Sequence, residues 1–532
     1  MLAGMSGAGG TVPISGMPFA GVQAGPWRNA AGGESMHGPS QSSVLVTVFI
    51  ASFAAHTGAA GAQPIDLGTL GGTNSQAVAV NASGQVVGFA DTVSDTPHAF
   101  SWTTAGGMVD LGTLGGPYSY AYAVNASGQV VGEAQVANGY FHAFSWTAAG
   151  GMVDLGTLGG AWSFALAVNA SGQVVGIAGT PSYGSRAFSW TSAGGMIDLG
   201  TLGGAHSQAM AVNDSGQVVG CASTASGDDH PVLWMAGGGI VDLGTLGGSI
   251  GCAMAVNDSG QVVGWADTGG YYLHAFSWTA VGGMIDLGTL GGTYSDAVAV
   301  NDSGQVVGST NAGGDSPHAF SWTAAAGMLD LGTLGGTYSN AYAVNNDGQV
   351  VGAANTAGGY DHAFSWTAAG GMVDLGALSG GSSSAGDIEG GRAVGWSSLS
   401  DVSYHATLWL FGGGGGGDAV QVTIDIKPGG VPNSINPRSR GVIPAAILTT
   451  ADFDAATVAP SSVRFGPGGA TIAHTTGHLE DVDRDGDLDL VLHFRTVDTG
   501  IACGDETASL TGETFDGQPI AGSDSVRTVG CK

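Results

Sequence analysis

The sequence predicts an all-β protein: an eight-bladed β-propeller of 44-residue repeats closed by an N-terminal strand, followed by a C-terminal β-sandwich. Three observations predict it. Asp-Leu-Gly recurs at Asp66, Asp110, Asp154, Asp198, Asp242, Asp286, Asp330 and Asp374, a constant step of 44 residues. A unit of that length is one supersecondary element that must bury its faces against its neighbours. Within each unit, short runs alternate large and small side chains between glycine turns, which is the period of strands. Finally, the eighth unit lacks its Met-Val-Asp-Leu run, and the chain begins with that run as Pro64-Ile65-Asp66-Leu67-Gly68. A first strand that completes the last blade closes a ring and removes exposed sheet edges.

Residues 1–62 read as a leader with an export signal. Val44 to Ala55 has the length of a signal h-region and is too short for a membrane span. Ala60-Gly61-Ala62 is a small-x-small cleavage pattern, so the mature chain starts at Gln63. The preceding segment is long and carries only Arg28 as a base, and Met36 as the start would give a signal of ordinary length. The expected location is extracellular or at the cell surface. No later segment has the apolar length to span a membrane.

Residues 63–411 hold the repeats. In the first, Ala77 to Asn81 reads as a strand, Ala82-Ser83-Gly84 as a tight turn and Gln85 to Ala90 as the hairpin partner. A variable stretch, Asp91 to Pro97, leads into His98-Ala99-Phe100-Ser101-Trp102-Thr103. Thr104 to Gly107 turns again, and Met108 to Gly112 is the fourth strand. Four short antiparallel strands per 40–45 residues is the pattern of a propeller blade.

His-Ala-Phe-Ser-Trp, Gly-Met-Val-Asp-Leu-Gly-Thr-Leu-Gly-Gly and Val-Asn-x-Ser-Gly-Gln-Val-Val-Gly resemble the HAF-type extracellular repeats of bacterial proteins. The resemblance covers about Asp66 to Trp409. It implies an exported repeat protein, and no enzymatic activity follows from it.

Composition narrows function. The net charge of −30 reflects 11 Lys+Arg against 41 Asp+Glu, with 10% of residues charged. Between Gln63 and Phe411 the bases are Arg186 and Arg392. A basic patch for nucleic acid or anionic lipid is excluded on that count. His98, His142, His230, His274, His318, His362 and His405 recur at one repeat position, with Arg186 in their place in the third unit. One histidine per blade cannot converge on an ion, so a hydrogen bond inside each blade is expected. The tryptophans at 102, 146, 190, 234, 278, 322, 366 and 409 are expected in the blade cores. Glycosidases need a close carboxylate pair, and the glutamates of the repeats are just Glu133 and Glu389. The expectation is a chain with no enzymatic activity.

A ligand is expected on the face of the variable connections, because binding residues sit on variable loops held by a rigid frame. One position after Leu-Gly-Gly reads Asn74, Tyr118, Trp162, His206, Ile250, Tyr294 and Tyr338. Of these, Tyr118, Trp162, His206, Tyr294 and Tyr338 are the candidate ligand residues. Aromatics on a hydroxyl- and amide-rich face suit sugar stacking. The alternative is that these rings wedge between blades.

Residues 412–418 are a glycine linker, and 419–532 a second domain. Strand-like runs and Pro/Gly turns suggest a β-sandwich there. Ile424-Asp425-Ile426-Lys427-Pro428-Gly429, Asn433 to Pro437, Gly441 to Pro444 and Leu510-Thr511-Gly512 resemble a C-terminal module of bacterial secreted proteins. That module often carries a cysteine pair where this chain has Ser509 and Ser523. Asp481, Asp483, Asp485, Asp487 and Asp489, with Gly486 for the turn, match the first part of a calcium loop. Position 12 is Leu492, so the loop is unlike an EF-hand, and a structural Ca²⁺ in a hairpin loop is expected. Cys503 with Cys531, and Cys221 with Cys252, are the expected disulfides in an exported chain.

The expected function is an exported binding scaffold for extracellular glycan or protein ligands. The alternatives are an enzyme acting on polysaccharide with a site on the propeller face, and a purely structural surface protein.

Overall fold

The computed structural model describes residues 64–531, except 105, 183, 271, 314–315, 401–402, 412–419, 429, 431, 451–452, 468, 474–476, 506 and 515–518. The expected leader, Gln63 and the glycine linker therefore lie outside the described residues. No α-helix occurs among the described residues, and none is long and apolar enough to cross a membrane.

The protein is almost wholly β. Among the described residues, the repeats form eight four-stranded antiparallel sheets. In the first, Gly71–Val80, Val86–Thr92, Pro97–Thr103 and Gly107–Asp110 lie in chain order. The last sheet contains Ser383–Glu389, Arg392–Ser400 and Ser403–Leu410, and its fourth strand is Pro64–Asp66. Pro64 pairs with Trp409, Ile65 with Leu408 and Asp66 with Thr407. The first strands of successive sheets run side by side, and Gly71–Val80 lies against Ser383–Glu389, so their circuit closes. The first strand of each sheet is thus the innermost of a β-propeller, a point that sequence alone left open.

Hairpin turns follow from asparagine and glycine. In Asn81-Ala82-Ser83-Gly84, Gly84 has φ +80°, and the Asn81 side chain accepts the Gln85 amide at 2.9 Å. The inner strand starts earlier than its alternation suggests. Leu70 bridges Thr92, Gly71 pairs with Thr92, and the register then shifts before Ser75. Several sequence "loop" residues, including Tyr118, His206 and Tyr338, therefore lie within strands.

Each interface between sheets is a small apolar cluster. Val87 and Ala99 of the first sheet pack with Leu111, Ala121, Val130, Ala134 and Phe144 around the second. The deepest side chain is the phenylalanine at Phe100, Phe144, Phe188, Phe276, Phe320 and Phe364, fully buried in each case. The tryptophans are mostly half-buried at the cluster margin, with Trp234, Trp366 and Trp409 buried. Phenylalanine two residues earlier therefore takes the deepest place in six sheets, while Trp234 and Trp409 fill the core where Val232 and Thr407 stand at that position.

The C-terminal region forms two four-stranded sheets. Val420–Gln421, Pro519–Ser525, Thr507–Glu513 and Arg464–Phe465 make one; Ile424–Ile426, Val442–Ile447, Asp489–Arg495 and His478–Glu480 make the other. One apolar cluster draws Ile426, Ile447 and Phe494 from the second and Phe465, Leu510 and Ile520 from the first. Ser509 faces Ser523 across its strand pair.

Candidate functional site

The repeats present two differently built faces. On one, the loops between second and third strands meet the start of each inner strand. Asn74 Nδ2 donates to Asp91 at 2.9 Å, tying the two connections together in the first sheet. This face carries aromatic rings at two repeat positions. The first is the expected one. Tyr118, Trp162 and Tyr338 are half-buried, while His206 and Tyr294 are exposed. Trp162 stacks on Phe164 at 4.9 Å, His206 Nδ1 meets Ser185 Oγ at 3.2 Å, and Tyr338 Oη donates to Asp361. These rings therefore lean on the frame and keep one side open, between the two readings of them from sequence.

The second position was missed. Tyr140, Tyr272 and Tyr360 stand at one repeat position, two residues before the third-strand histidine, and are 52%, 50% and 54% exposed; Tyr404, one residue before His405, is 36% exposed. The signal was a tyrosine two residues before the repeated histidine in three of the variable stretches. Exposed aromatics on a rigid frame offer a flat, apolar contact with a polar rim.

The repeated histidines lie within each sheet. His98 Nδ1 meets the Asp110 carboxylate at 2.9 Å, and the same pair recurs at His142–Asp154, His230–Asp242, His274–Asp286, His318–Asp330 and His362–Asp374. His405 pairs with Asp66 at 2.8 Å, joining the last sheet to the N-terminal strand. Arg186 lies 4.0 Å from Asp198 in the third repeat. Each pair is confined to one sheet, and the histidines do not converge on an ion.

On the opposite face, the tight turns surround the centre. Asn81 Nδ2 donates to the Asn125 carbonyl at 2.9 Å, and the relay continues through Asn169, Asn213, Asn257 and Asn301 to Asn345. A cavity of about 370 Å³ lies within this relay. The residue after the asparagine changes around the ring, from Ala82, Ala126 and Ala170 to Asp214, Asp258, Asp302 and Asn346. Each carboxylate reaches back to the preceding turn: Asp214 accepts from Ala170, Asp258 from Asp214 and Asp302 from Asp258, at 2.8 to 3.2 Å. Glu389 also lines the cavity, and burial with the like charges of Asp387 and Asp347 raises its pKa. The sequence reading placed the ligand on the other face and passed over these turns.

Two further acids are buried among tyrosines. Glu133 accepts from Tyr122 Oη at 2.7 Å, and burial pushes its carboxyl up to about 7. Burial likewise pushes Asp296, beside Tyr294, up to about 6.

The acidic loop closes the hairpin of His478–Glu480 and Asp489–Arg495. Asp481, Asp483 and Asp485 bring carboxylate oxygens within 4.8 Å of one another. Gly486 at φ +102° and Arg484 at +68° make the turn. Asp489 stands apart: it is buried and accepts from the Thr449 and Val482 amides at 2.9 and 3.0 Å. Asp487 donates its amide to Asp485 and is not in the close cluster. Cys221 and Cys252 are bridged with Cα atoms 4.8 Å apart, and Cys503 and Cys531 at 5.7 Å.

No protein-family model and no curated protein matches the chain. Solved structures with a similar arrangement include a lectin from Burkholderia pseudomallei, at 13% identity over 59% of this chain and 97% of the lectin, TM-score 0.33. Puromycin hydrolase matches at 13% identity over 87% of this chain and 68% of that one, TM-score 0.38. A fungal alcohol oxidase in complex with copper matches at 12% identity over 88% and 99%, TM-score 0.33. The expectation of a chain without enzymatic activity is corrected by these matches. It rested on residue types missing from the repeats, and enzymes stand beside lectins among the similar structures.

Proposed function

We propose that the chain is an exported carbohydrate-binding scaffold: an eight-bladed propeller closed by its N-terminal strand, with a C-terminal β-sandwich held by a structural Ca²⁺. The ligand is an extracellular glycan, bound on the variable face. One observation carries the reading. Tyr140, Tyr272 and Tyr360 recur at one position, stand out from a rigid frame and share their face with Tyr404, Tyr118, Trp162, His206, Tyr294 and Tyr338. A sugar ring has an apolar face and a hydroxyl rim, which match a tyrosine ring flanked by serine, threonine and asparagine.

A glycan array probed with the full chain tests this. Tyr140→Ala, Tyr272→Ala and Tyr360→Ala combined should weaken the bound glycan by about tenfold or more, roughly 1.4 kcal/mol, at unchanged melting temperature. Unchanged binding would remove the face from consideration.

For the C-terminal region, Asp481, Asp483 and Asp485 supply hard oxygen ligands at the spacing a Ca²⁺ loop uses. Asp489 serves as the strut that shapes the loop. Chelation should lower the melting of this region and leave the repeats folded, and Asp483→Ala with Asp485→Ala should abolish the calcium effect. A scan indifferent to calcium would reduce the loop to an acidic turn.

A further inference from the structure

Six sheets join their second and third strands through one loop frame. The amide at its start donates to the carbonyl four residues on: Thr92 to Thr96, Val136 to Tyr140, Thr180 to Gly184, Thr224 to Asp228, Thr268 to Tyr272 and Thr356 to Tyr360, at 2.8 to 3.0 Å. The frame closes with threonine, glycine or aspartate as its last residue, so closure does not require tyrosine. In three sheets tyrosine stands there all the same, half exposed. A ring that the loop neither needs nor buries, on a frame that tolerates other residues, is where a binding contact is placed without cost to the fold.

These three rings differ from the aromatics at the inner-strand starts. Tyr338 donates its hydroxyl to Asp361 and Tyr294 is bonded to Asp296, which ties both into the frame. Among the described residues, no side chain meets the hydroxyls of Tyr140, Tyr272 or Tyr360, so each keeps a donor and an acceptor for a ligand. Charge narrows that ligand. The repeats hold two bases: Arg186 lies 4.0 Å from Asp198, and Arg392 reaches the Ala82 carbonyl at 3.5 Å on the opposite face. On the tyrosine face Asp91 is bonded to Asn74, Asp361 to Tyr338, and Asp228 ends one of the loops. A glycan bearing carboxylates or sulfates meets acids there and no free cation, and is disfavoured.

The tyrosines belong to the second, fifth and seventh sheets, so they stand three, two and three sheets apart around the circuit. No two share a junction, and they do not build one pocket around one sugar ring. A β-linked glucan keeps every ring substituent equatorial. It therefore shows a flat C–H face bordered by hydroxyls, carries no charge, and repeats that face along a chain. We propose that Tyr140, Tyr272 and Tyr360 head three separate sites for a neutral β-glucan, and that the protein holds such a polymer by engaging several sites at once. The proposal rests on the reading of this face as glycan-binding. Linked sites raise the effective concentration for one another, which lifts avidity over single-site affinity by about 10²–10⁴-fold.

The test uses the full chain labelled with 3-fluorotyrosine, titrated with cellotetraose and read by fluorine NMR. Tyr140→Thr, Tyr272→Thr and Tyr360→Thr, made singly, assign the three resonances, and Thr96 already closes the same loop with threonine. All three resonances should shift with cellotetraose. Removing one tyrosine should leave the other two titrating with unchanged midpoints. Tetragalacturonate should act at least about tenfold more weakly. Toward a soluble mixed-linkage β-glucan, each single variant should lose about tenfold or more, because one point of attachment is gone. Collapse of all three shifts on removing one tyrosine would reveal a single composite site and overturn the proposal. A response at fewer than three tyrosines, an equal response to tetragalacturonate, or polymer affinity no higher than that for cellotetraose would overturn it as well. Silence toward cellotetraose with a ligand found on the glycan array would overturn the β-glucan sites alone, whereas a blank array in addition would remove the glycan reading of the face.

Discussion

Seven of the eight junctions between sheets are held by a serine, and one is held by a cystine. At the seven, a buried serine on the inner strand accepts the third-strand amide of the preceding sheet. Ser119 accepts from Ala99 at 2.8 Å and donates to the Gly112 carbonyl at 2.6 Å. Ser163, Ser207, Ser295, Ser339 and Ser383 accept in the same way from Ala143, Ala187, Ala275, Ala319 and Ala363. The junction between last and first sheets follows the rule, with Ser75 accepting from Ala406 at 2.8 Å and donating to Gly68. The fourth junction breaks it. Pro231 stands where the donor should be and has no N–H, and Gly251 stands where the serine should be. A Cβ on Gly251 would come within 2.9 Å of the proline ring. Beside them, Cys221 of the fourth sheet bridges Cys252 of the fifth. The difference teaches that one junction traded a hydrogen-bonded brace for a covalent one, with both partners of the brace changed together.

The largest effect should come from breaking the brace where the chain is discontinuous. Deleting residues 64–68 removes the strand partner of Ser403–Leu410, the Asp66–His405 pair, the buried Leu67 and the Gly68 carbonyl that Ser75 uses. Burial of one leucine contributes about 1.5–3 kcal/mol and each hydrogen bond about 1. The urea midpoint should fall by the equivalent of ~5 kcal/mol. A midpoint that stays put would mean that the last junction does not need the N-terminal strand.

Next is the cystine. Its loop spans 31 residues, for which cross-linking contributes roughly 3 kcal/mol. Cys221→Ala with Cys252→Ala should lower stability by about 2–4 kcal/mol, more than Ser119→Ala, which removes one brace at about 1–3 kcal/mol. If the two losses prove equal, the bond only replaces the brace it displaced.

The second repeat places an acid, Glu133, where the fourth places Cys221. Burial raises its pKa from 4.5 to about 7, so the folded state holds the proton more tightly than the unfolded chain. Its contribution is therefore fully present below pH 4.5 and is lost as pH rises toward 7. Glu133→Gln should stabilise the protein at pH 8 by about 1–2 kcal/mol and leave it within a few tenths at pH 4.5. Melting curves at both pH values check the sign. A gain at low pH instead would show that the carboxylate is charged and satisfied in the fold.

Much of this architecture could be read from the chain. The strands, turns and N-terminal closure follow from local alternation and from one missing run. A hydrogen bond inside each blade was expected of the repeated histidines because one per blade cannot converge on an ion, but their aspartate partner was not foreseen. What escaped reading was side-chain placement between repeats. Asn81 looks like a turn residue, and its turn role is local, but its second bond reaches a carbonyl 44 residues away. Phe100 and Trp102 alternate on one strand, and no local signal says that the smaller ring goes deeper. Tyr140, Tyr272 and Tyr360 lay inside stretches judged by their variation, which hid a tyrosine shared by three repeats. At the calcium-type loop the aspartate spacing was legible, but Asp489 was taken as a ligand because its commitment to Thr449 is tertiary.

Pro231 and Gly251 show the same limit, and they give the finest test. Each alone looks like neutral variation between repeats. They are linked because a third-strand residue of one sheet faces the inner-strand residue 20 positions later in the next, the separation at which Ala99 meets Ser119. Gly251→Ser alone should destabilise, since its Cβ meets the Pro231 ring at 2.9 Å and its hydroxyl finds no amide there. Pro231→Ala alone should also destabilise, by leaving a buried N–H without an acceptor, at about 1–3 kcal/mol. Together, Pro231→Ala and Gly251→Ser rebuild the arrangement of the other seven junctions. In the background of Cys221→Ala with Cys252→Ala, the pair should restore about 1 kcal/mol, read as a rise in urea midpoint. The coupling between the two substitutions, obtained from the four-member cycle, should be favourable because each removes the part of the penalty that the other creates, the 2.9 Å approach of the new Cβ to the Trp265 carbonyl being common to both backgrounds. Strict additivity would show that the serine does not brace this junction, and that the cystine stabilises it for reasons unrelated to the lost hydrogen bond.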